Sequence, residues 1–261
     1  MGGGWDAWGV MVEEGPAGMQ AASRDEGRQF ALPLVVRVER GAAPGRTEAL
    51  ECAAVAVLRF LTDRRVTEVD GEWASAARAW EDARIRQVVR RARGAAWERA
   101  LALPGISVTR CGPGTERGAE VRVFPPVPVD DWPADLARLQ VSGTDFDDAQ
   151  APGEPGAGTP VLWLNPALPM TAGKAMAQAG HGAQLLWWGL GPRDRSEWAD
   201  LEFDLAVRIA GSREQWAGLL VSGLPVVTDG GFTEVAPGSA TVVADHPALR
   251  AALGMPPRGG D

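Results

Sequence analysis

One order of predicted elements occurs twice along this chain, and this duplication constrains the fold more than any other feature of the sequence. In residues 32–141 the hydrophobic pattern predicts a strand, a helix, a strand, a helix and two strands, and residues 161–246 repeat that order. The first helices of the two copies also align at their apolar positions. These positions are Ala49, Ala53, Ala56 and Phe60 in the first copy and Met176, Gly180, Ala183 and Trp187 in the second.

This pattern predicts an α/β protein of two tandem small three-layer α/β units. Each unit is expected to be a mixed sheet of about four strands with helices on its faces. Small residues such as Gly180 would let the second helix lie close to a sheet. The two units should pack on each other as a pseudo-dimer, because each carries more apolar surface than one helix layer covers. Coincidence between two ordinary α/β layers is the alternative explanation.

Composition sets the boundaries of these units. Residues 1–29 are rich in glycine and charge, which predicts a loose N-terminal segment. Residues 30–143 form the first copy. Residues 144–160 are acidic and rich in proline and glycine, as in a flexible linker, and residues 161–250 form the second copy.

A polar helix face is predicted at the start of the second copy. A buried strand at residues 161–164 precedes a loop and then a helix with Thr171 as its N-cap. Lys174, Gln178 and His181 fall at i, i+4 and i+7, so they share one face of that helix. Each could be an ordinary solvated or structural residue on its own. The triplet on one face favours a functional site.

A second polar stretch follows at residues 225–244. Asp229 ends a short predicted strand before Gly230 and Gly231, and Thr233 and Thr241 come after this turn. In a simple hairpin Asp229 would only cap the turn.

Together the two stretches resemble the type 2 peptidyl-tRNA hydrolase family, the archaeal and eukaryotic kind. The first stretch matches the family's Leu-x-Met-x-x-Gly-Lys loop and Ala-Gln-x-x-His helix with Leu168, Met170, Gly173, Lys174, Ala177, Gln178 and His181. The second matches its Asp-x-Gly-x-Thr-Glu-x-x-Pro-Gly segment with Asp229, Gly231, Thr233, Glu234, Pro237 and Gly238, and Thr241 follows. The resemblance covers residues 161 to 246.

The resemblance implies hydrolysis of the ester bond of peptidyl-tRNA, to free peptide and tRNA, by direct attack of water. It implies peptidyl-tRNA as the partner, with no cofactor and no metal. Family members are often homodimers, so this chain would be a monomer with an internal pseudo-dimer. The catalytic residues implied are Lys174, Asp229, Thr233 and Thr241, and the substrate-binding residues are Gln178, His181, Gly231 and Arg37.

The chain departs from the family pattern in both copies. The family's arginine and aspartate after the first strand are Asn165 and Ala167 here, and its alanine after the histidine is Gly182. Only the first copy keeps an arginine at the strand end, Arg37. That copy is otherwise degenerate. Its residues at the places of Lys174, Gln178, His181 and Asp229 are Thr47, Glu51, Ala54 and Arg110.

Ester cleavage by water needs an oriented water, a proton acceptor and donors for the developing oxyanion. Asp229 is the best candidate to orient or deprotonate water. Lys174 could keep that carboxylate ionised, face the oxyanion, or contact the terminal phosphate. Thr233 and Thr241 can donate hydroxyl hydrogen bonds. The sequence leaves these roles open.

Charge and composition bear on several other classes of function and partner. The net charge of −8 argues mildly against a nucleic-acid partner, although arginines crowd residues 84–99 and could contact phosphates or only face solvent. Cys52 and Cys111 have neither metal-ligand nor disulfide spacing. The absence of a long apolar run or a signal-peptide pattern predicts a cytoplasmic protein without a membrane partner. A non-catalytic RNA- or protein-binding module and an esterase for smaller acyl substrates are the alternative functions.

Overall fold

The structure is a computed structural model, and it describes residues 28–82, 84–111, 118–231 and 233–259. Residues 1–27 are outside this description, so the loose segment predicted over residues 1–29 lies almost wholly outside the described residues. Within the described ranges, no helix combines the length and the hydrophobicity that a bilayer-spanning segment requires.

The first half contains a strand and a long helix followed by shorter elements. They are β1 Phe30–Arg37, α1 Arg46–Thr62, α2 Arg64–Thr67, α3 Ala74–Glu81, β2 Arg86–Ala92, α4 Gly94–Leu101, β3 Ile106–Arg110, β4 Ala119–Val123, β5 Val127–Pro128 and α5 Ala134–Ala137. The second half repeats the succession of the main elements. They are β6 Val161–Leu164, α6 Ala172–Gly189, α7 Pro192–Asp200, β7 Ala206–Ile209, α8 Arg213–Leu220, β8 Val226–Thr228, β9 Ala240–Asp245 and α9 Pro247–Ala252.

Both sheets have the same strand order and the same directions. The first sheet runs β2-β1-β4-β3, with β5 added to β1, and the second runs β7-β6-β9-β8. In each, the first two strands are parallel and the other neighbours are antiparallel. The register also agrees, because Leu34 of β1 pairs with Val89 and Leu162 of β6 pairs with Val207. The predicted tandem α/β architecture is therefore confirmed.

The two halves share a core in which α1 packs on α6. One cluster of buried apolar residues includes Val57 and Phe60 of the first half and Leu162 and Met176 of the second. Gly180 permits this contact, because a Cβ atom there would lie 3.0 Å from Val57 Cγ2. The halves therefore form one pseudo-dimeric body.

Gly180 faces the other half, and a Cβ atom there would also clash with the side chain of Gln87 in β2. The sheet that α6 approaches at Gly180 is therefore that of the first half, and α6 approaches its own sheet elsewhere. Gly182 is the glycine that lies against that sheet. A Cβ atom there would be 3.1 Å from Leu162 Cδ2 and 3.0 Å from Val242 Cγ1. The absence of a Cβ atom at Gly182 thus lets α6 lie close to its own sheet.

Residues 144–160, the predicted flexible linker, contain no helix or strand, and all of them are described. Their first part is held by both halves. Phe146 is buried in the shared core, and Thr144 Oγ1 accepts a hydrogen bond from Gly173 N at 3.0 Å. Asp148 accepts bonds from the backbone and hydroxyl of Thr47 at 2.8 and 2.7 Å. The connection between the copies therefore caps the helices α1 and α6.

Candidate functional site

A cleft of about 730 Å³ lies between the two halves. The second half contributes one face of α6 and the end of β8 with the loop that follows. The first half contributes residues 84–89, which include the start of β2. A cavity of this size is in the range of small-molecule and peptide sites. Because both halves form its walls, the pseudo-dimer is required for the cleft.

A chain of polar side chains lies at one end of this cleft. Lys174 Nζ forms an ion pair with Asp229 Oδ2, and Gln178 Nε2 donates to the same oxygen at 2.8 Å. Thr241 Oγ1 lies 2.5 Å from Gln178 Oε1, to which it donates. Thr241 is fully buried, so it orients Gln178 from beneath and does not border the cavity. The structure thus brings four predicted site residues into one connected network.

Local capping fixes the lysine in this network. The Thr171 hydroxyl accepts a bond from Lys174 N at 3.3 Å, which confirms Thr171 as the N-cap of α6. Glu234, in the loop after β8, accepts from Thr171 N at 2.8 Å and from its hydroxyl at 2.7 Å. The loop and the helix start are therefore tied together, and this places Lys174 opposite Asp229.

A tight turn fixes the aspartate. Gly231 N donates to Asp229 Oδ1 at 2.7 Å, so both carboxylate oxygens of Asp229 accept hydrogen bonds. Gly231 has φ +76°, and a Cβ atom there would lie 2.3 Å from Pro237 Cγ. Only glycine fits this turn without strain. Gly231, predicted to bind substrate, therefore supports Asp229.

The Lys174–Asp229 pair is mostly removed from solvent, with side-chain exposures of 11% and 7%. Burial alone would raise the pKa of the Asp229 carboxyl. The hydrogen bonds from Lys174 and from the Gly231 amide outweigh burial, and the pKa lies below its usual value. The carboxylate is thus ionised at neutral pH and is a weak proton acceptor. It can hold and orient a donor better than it can remove a proton.

His181 joins α6 to the wall from the first half. Its Nε2 atom lies 2.8 Å from the carbonyl oxygen of Ile85, and since a carbonyl only accepts, Nε2 carries a proton. Burial lowers the pKa of His181 to about 4, so the imidazole is neutral at neutral pH. Ile85 has φ +34°, which is unusual for a β-branched residue. His181 therefore holds a strained part of the cleft wall.

The other predicted site residues have different positions. Thr233 is exposed and borders the cleft beside Asp229. Arg37 is not among the residues that line the cleft, and its guanidinium contacts Glu39 at 3.0 Å and Glu120 at 3.1 Å. Asn165 bonds with the backbone of Ala240 and Ala167, at 2.9 Å in each case, and so holds a loop.

The arginines predicted as one cluster separate in the structure. Arg84 and Arg86 border the cleft. Arg90 lies over the ring of Trp132 at 4.5 Å, and Arg99 contacts Asp135 at 3.3 Å. The arginines of residues 84–99 therefore do not form one basic surface along the cleft.

Sequence reasoning missed the apolar end of the cleft. Leu185 and Trp188 continue the α6 face beyond His181, and Val88 and Val226 lie across from them. Trp188 also donates to Glu81, whose pKa is raised by burial. The signal for Leu185 was present, since it continues the i+4 spacing from His181. Val88 had no local signal, because only the packing of the halves brings it here.

In the described residues, no group of three or more His, Cys, Asp or Glu side chains is placed to hold a metal ion. Comparisons with protein families, with curated proteins and with solved structures find no match for this chain.

Proposed function

We propose that this protein hydrolyses the ester that joins a peptide to the terminal ribose of tRNA, by direct attack of water. One observation carries the proposal: Lys174 and Gln178, neighbours on α6, both bond to Asp229, which lies 51 residues beyond Gln178, and all three line one end of the cleft. These are also the residues that resemble the type 2 peptidyl-tRNA hydrolases. A desolvated ion pair that borders an open cavity is typical of a functional site.

The geometry favours particular roles for the pair. Because the pKa of Asp229 is low and both its oxygens are engaged, its role is to position the Lys174 ammonium and to accept a hydrogen bond from the attacking water. Two further N–H groups of Lys174 remain to stabilise the oxyanion that forms when water adds to the ester carbonyl. The Thr233 hydroxyl, at the cleft border, is a second donor. Collapse of the adduct breaks the ester bond, and the proton that the attacking water loses passes to the ribose oxygen, which leaves as a free hydroxyl.

The test is a comparison of three substrates: N-acetyl-aminoacyl-tRNA, free aminoacyl-tRNA and a simple activated ester. We expect the protein to hydrolyse the N-acetylated tRNA ester fastest. Lys174→Met should lower kcat by about 10²-fold or more, because it removes charge stabilisation of the oxyanion. Lys174→Arg should restore part of the rate, which a merely structural loss would not explain.

Two outcomes would reject the proposal. Cleavage of the simple ester alone would indicate an esterase for small acyl substrates. Binding of tRNA with no hydrolysis of any substrate would indicate a non-catalytic RNA-binding module on the same fold.

A further inference from the structure

The wall that the first half gives to the cleft is the edge of a sheet. β2 is the terminal strand in the order β2-β1-β4-β3. The consecutive residues 84–89 all border the cavity. Successive side chains of a strand point to opposite faces, so an unbroken run of residues can border one cleft only along the strand's edge. The cleft therefore faces backbone groups of β2.

The direction of those backbone groups follows from their neighbours. Ala92 O accepts from Val38 N at 2.9 Å on the β1 side, whereas Arg91 N donates to Gln140 O at 2.9 Å on the other side. Gln87 and Val89 alternate in phase with Arg91. Their N–H and C=O groups therefore point to the outer edge, where the chain's own Gln140 already makes one antiparallel bridge to Arg91.

The second half shows how this edge position binds an oxygen acceptor. Val207 of the edge strand β7 is the counterpart of Val89, since their partners Leu162 and Leu34 each lie three residues before the corresponding strand-end residues Asn165 and Arg37. Val207 N donates to the Glu51 carboxylate at 3.1 Å. At the Glu51 position of α6 stands Gln178, which is turned to Asp229 and Thr241 instead. Glu51 thus accepts from the backbone at the edge of β7, whereas its counterpart Gln178 is turned away from the edge of β2.

We propose that the peptide part of the substrate binds as an added β-strand on the outer edge of β2, through main-chain hydrogen bonds at Gln87 and Val89. This inference rests on the proposed function, and it places the ester end of the peptide at Lys174 and Asp229. The main-chain hydrogen bonds do not depend on the side chains of the peptide, so they suit many sequences. Leu185 and Trp188 offer an apolar surface to alternate side chains of the peptide.

The experiment measures binding of product-like peptides to the full-length protein, separately from turnover. The probe is N-acetyl-tetraalanine amide, together with versions that are N-methylated at one position each. Methylation at alternate positions should weaken binding by about three- to tenfold per lost hydrogen bond, and at the intervening positions much less. On binding, the backbone amide signals of Gln87 and Val89 should shift in NMR spectra, and that of Val88, which faces β1, is the internal control.

A flat N-methylation scan, or a shift at Val88 equal to that at Val89, would overturn the inference. Competition of the peptide with a CCA trinucleotide would also overturn it, because the cleft would then hold the RNA end. If N-acetyl-alanyl-tRNA is still hydrolysed in those cases, the proposed function stands without the added strand. If peptides bind with the alternating pattern but no ester is cleaved, the added strand stands and the hydrolase proposal fails.

Discussion

The two halves place different chemistry at equivalent positions of one fold. In the second half, Gln178 and Asp229 are joined by a hydrogen bond of 2.8 Å. In the first half, Glu51 and Arg110 lie 3.6 Å apart at the corresponding positions. The Glu51 carboxylate also contacts Arg208 at 2.8 Å, and that arginine donates to the backbone of Gly153. Glu51 thus belongs to a cluster of ion pairs, whereas Gln178 borders an open cleft.

This difference shows how one copy can serve stability while the other keeps a cavity. Glu51 carries a carboxylate, so it pairs with Arg110 of its own half and with Arg208 across the boundary between the halves. Gln178 is neutral, so it can donate to Asp229 and leave that carboxylate with Lys174. The Glu51 carboxylate thus belongs to a contact between the halves, whereas the Gln178 amide, together with the differences at the other three positions, belongs to a candidate site.

We expect the largest difference between the two halves when Asp229 and its counterpart Arg110 are changed. Asp229→Asn keeps the size of the side chain but removes the charge that holds Lys174. Turnover of N-acetyl-aminoacyl-tRNA should fall by about 10²-fold or more. The matched change Arg110→Gln should leave turnover within about twofold, because Arg110 lies outside the cleft lining. Equal losses in the two variants would mean that Asp229 has no special role.

A second contrast concerns pH. Both histidines of the chain, His181 and His246, lie in the second half, and burial lowers the pKa of each to about 4. Their unfolded pKa is near 6.5, so between pH 6.5 and 4 the unfolded state binds more protons. The free energy of unfolding should therefore fall as pH falls through this window, by about 2–3 kcal/mol per histidine.

Urea denaturation at several pH values measures this effect. His181→Gln keeps a donor for the Ile85 carbonyl but cannot titrate, so it should reduce the slope of stability against pH. An unchanged slope would contradict the lowered pKa of His181. Asp229, whose pKa is also lowered, loses its stabilising contribution only at lower pH, below the unfolded value of about 3.9.

The reciprocal variants Glu51→Gln and Gln178→Glu test the two equivalent helix positions directly. Glu51→Gln removes the carboxylate that Arg110 and Arg208 share, while Arg110 keeps its contact with Asp204. It should lower the free energy of unfolding by about 2 kcal/mol, between the values for exposed and buried pairs. Its turnover should stay close to that of the wild type. Gln178→Glu places a second carboxylate against Asp229, so it should lower turnover and stability together. Urea titrations and initial rates on the same samples distinguish these results, and a Glu51→Gln variant that loses activity would show that the ion cluster is part of the site.

The smallest expected effects on stability concern Asp148 and Thr144, which accept hydrogen bonds at the starts of α1 and α6. Asp148→Ala removes two hydrogen bonds at the start of α1 and should cost about 1 kcal/mol of stability. Thr144→Ala removes one bond at the start of α6 and should cost less. Amide hydrogen exchange should rise at Thr47 in the first variant and at Gly173 in the second. Faster exchange at both helix starts in either variant would show that the caps are not independent.

Much of the second half could be predicted from the sequence because its signals are local. Thr171, Lys174 and Gln178 followed from N-cap chemistry and helical spacing, and their positions need no distant partner. The tandem strand order also followed from the pattern. The helix α3 was missed, although Trp73, Ala77 and Trp80 repeat at helical spacing and are buried in the structure.

The rest depends on tertiary contacts that no local pattern records. Arg37 was predicted to bind substrate from its place at a strand end, but Glu39 and Glu120 neutralise it. Val89 reads as an ordinary buried strand residue, and its position at the cleft follows only from the packing of α1 on α6. The cleft wall could therefore not be predicted before the arrangement of the halves was known.

The packing of α1 on α6 also has a consequence for how this protein unfolds. Each copy has its own sheet, but the largest apolar cluster passes through both copies without interruption. A half separated from its partner would expose the side of its long helix that the other half covers. We therefore expect the two halves to unfold together as one cooperative unit, in which the copy without the predicted catalytic residues covers the apolar face of the other copy's long helix.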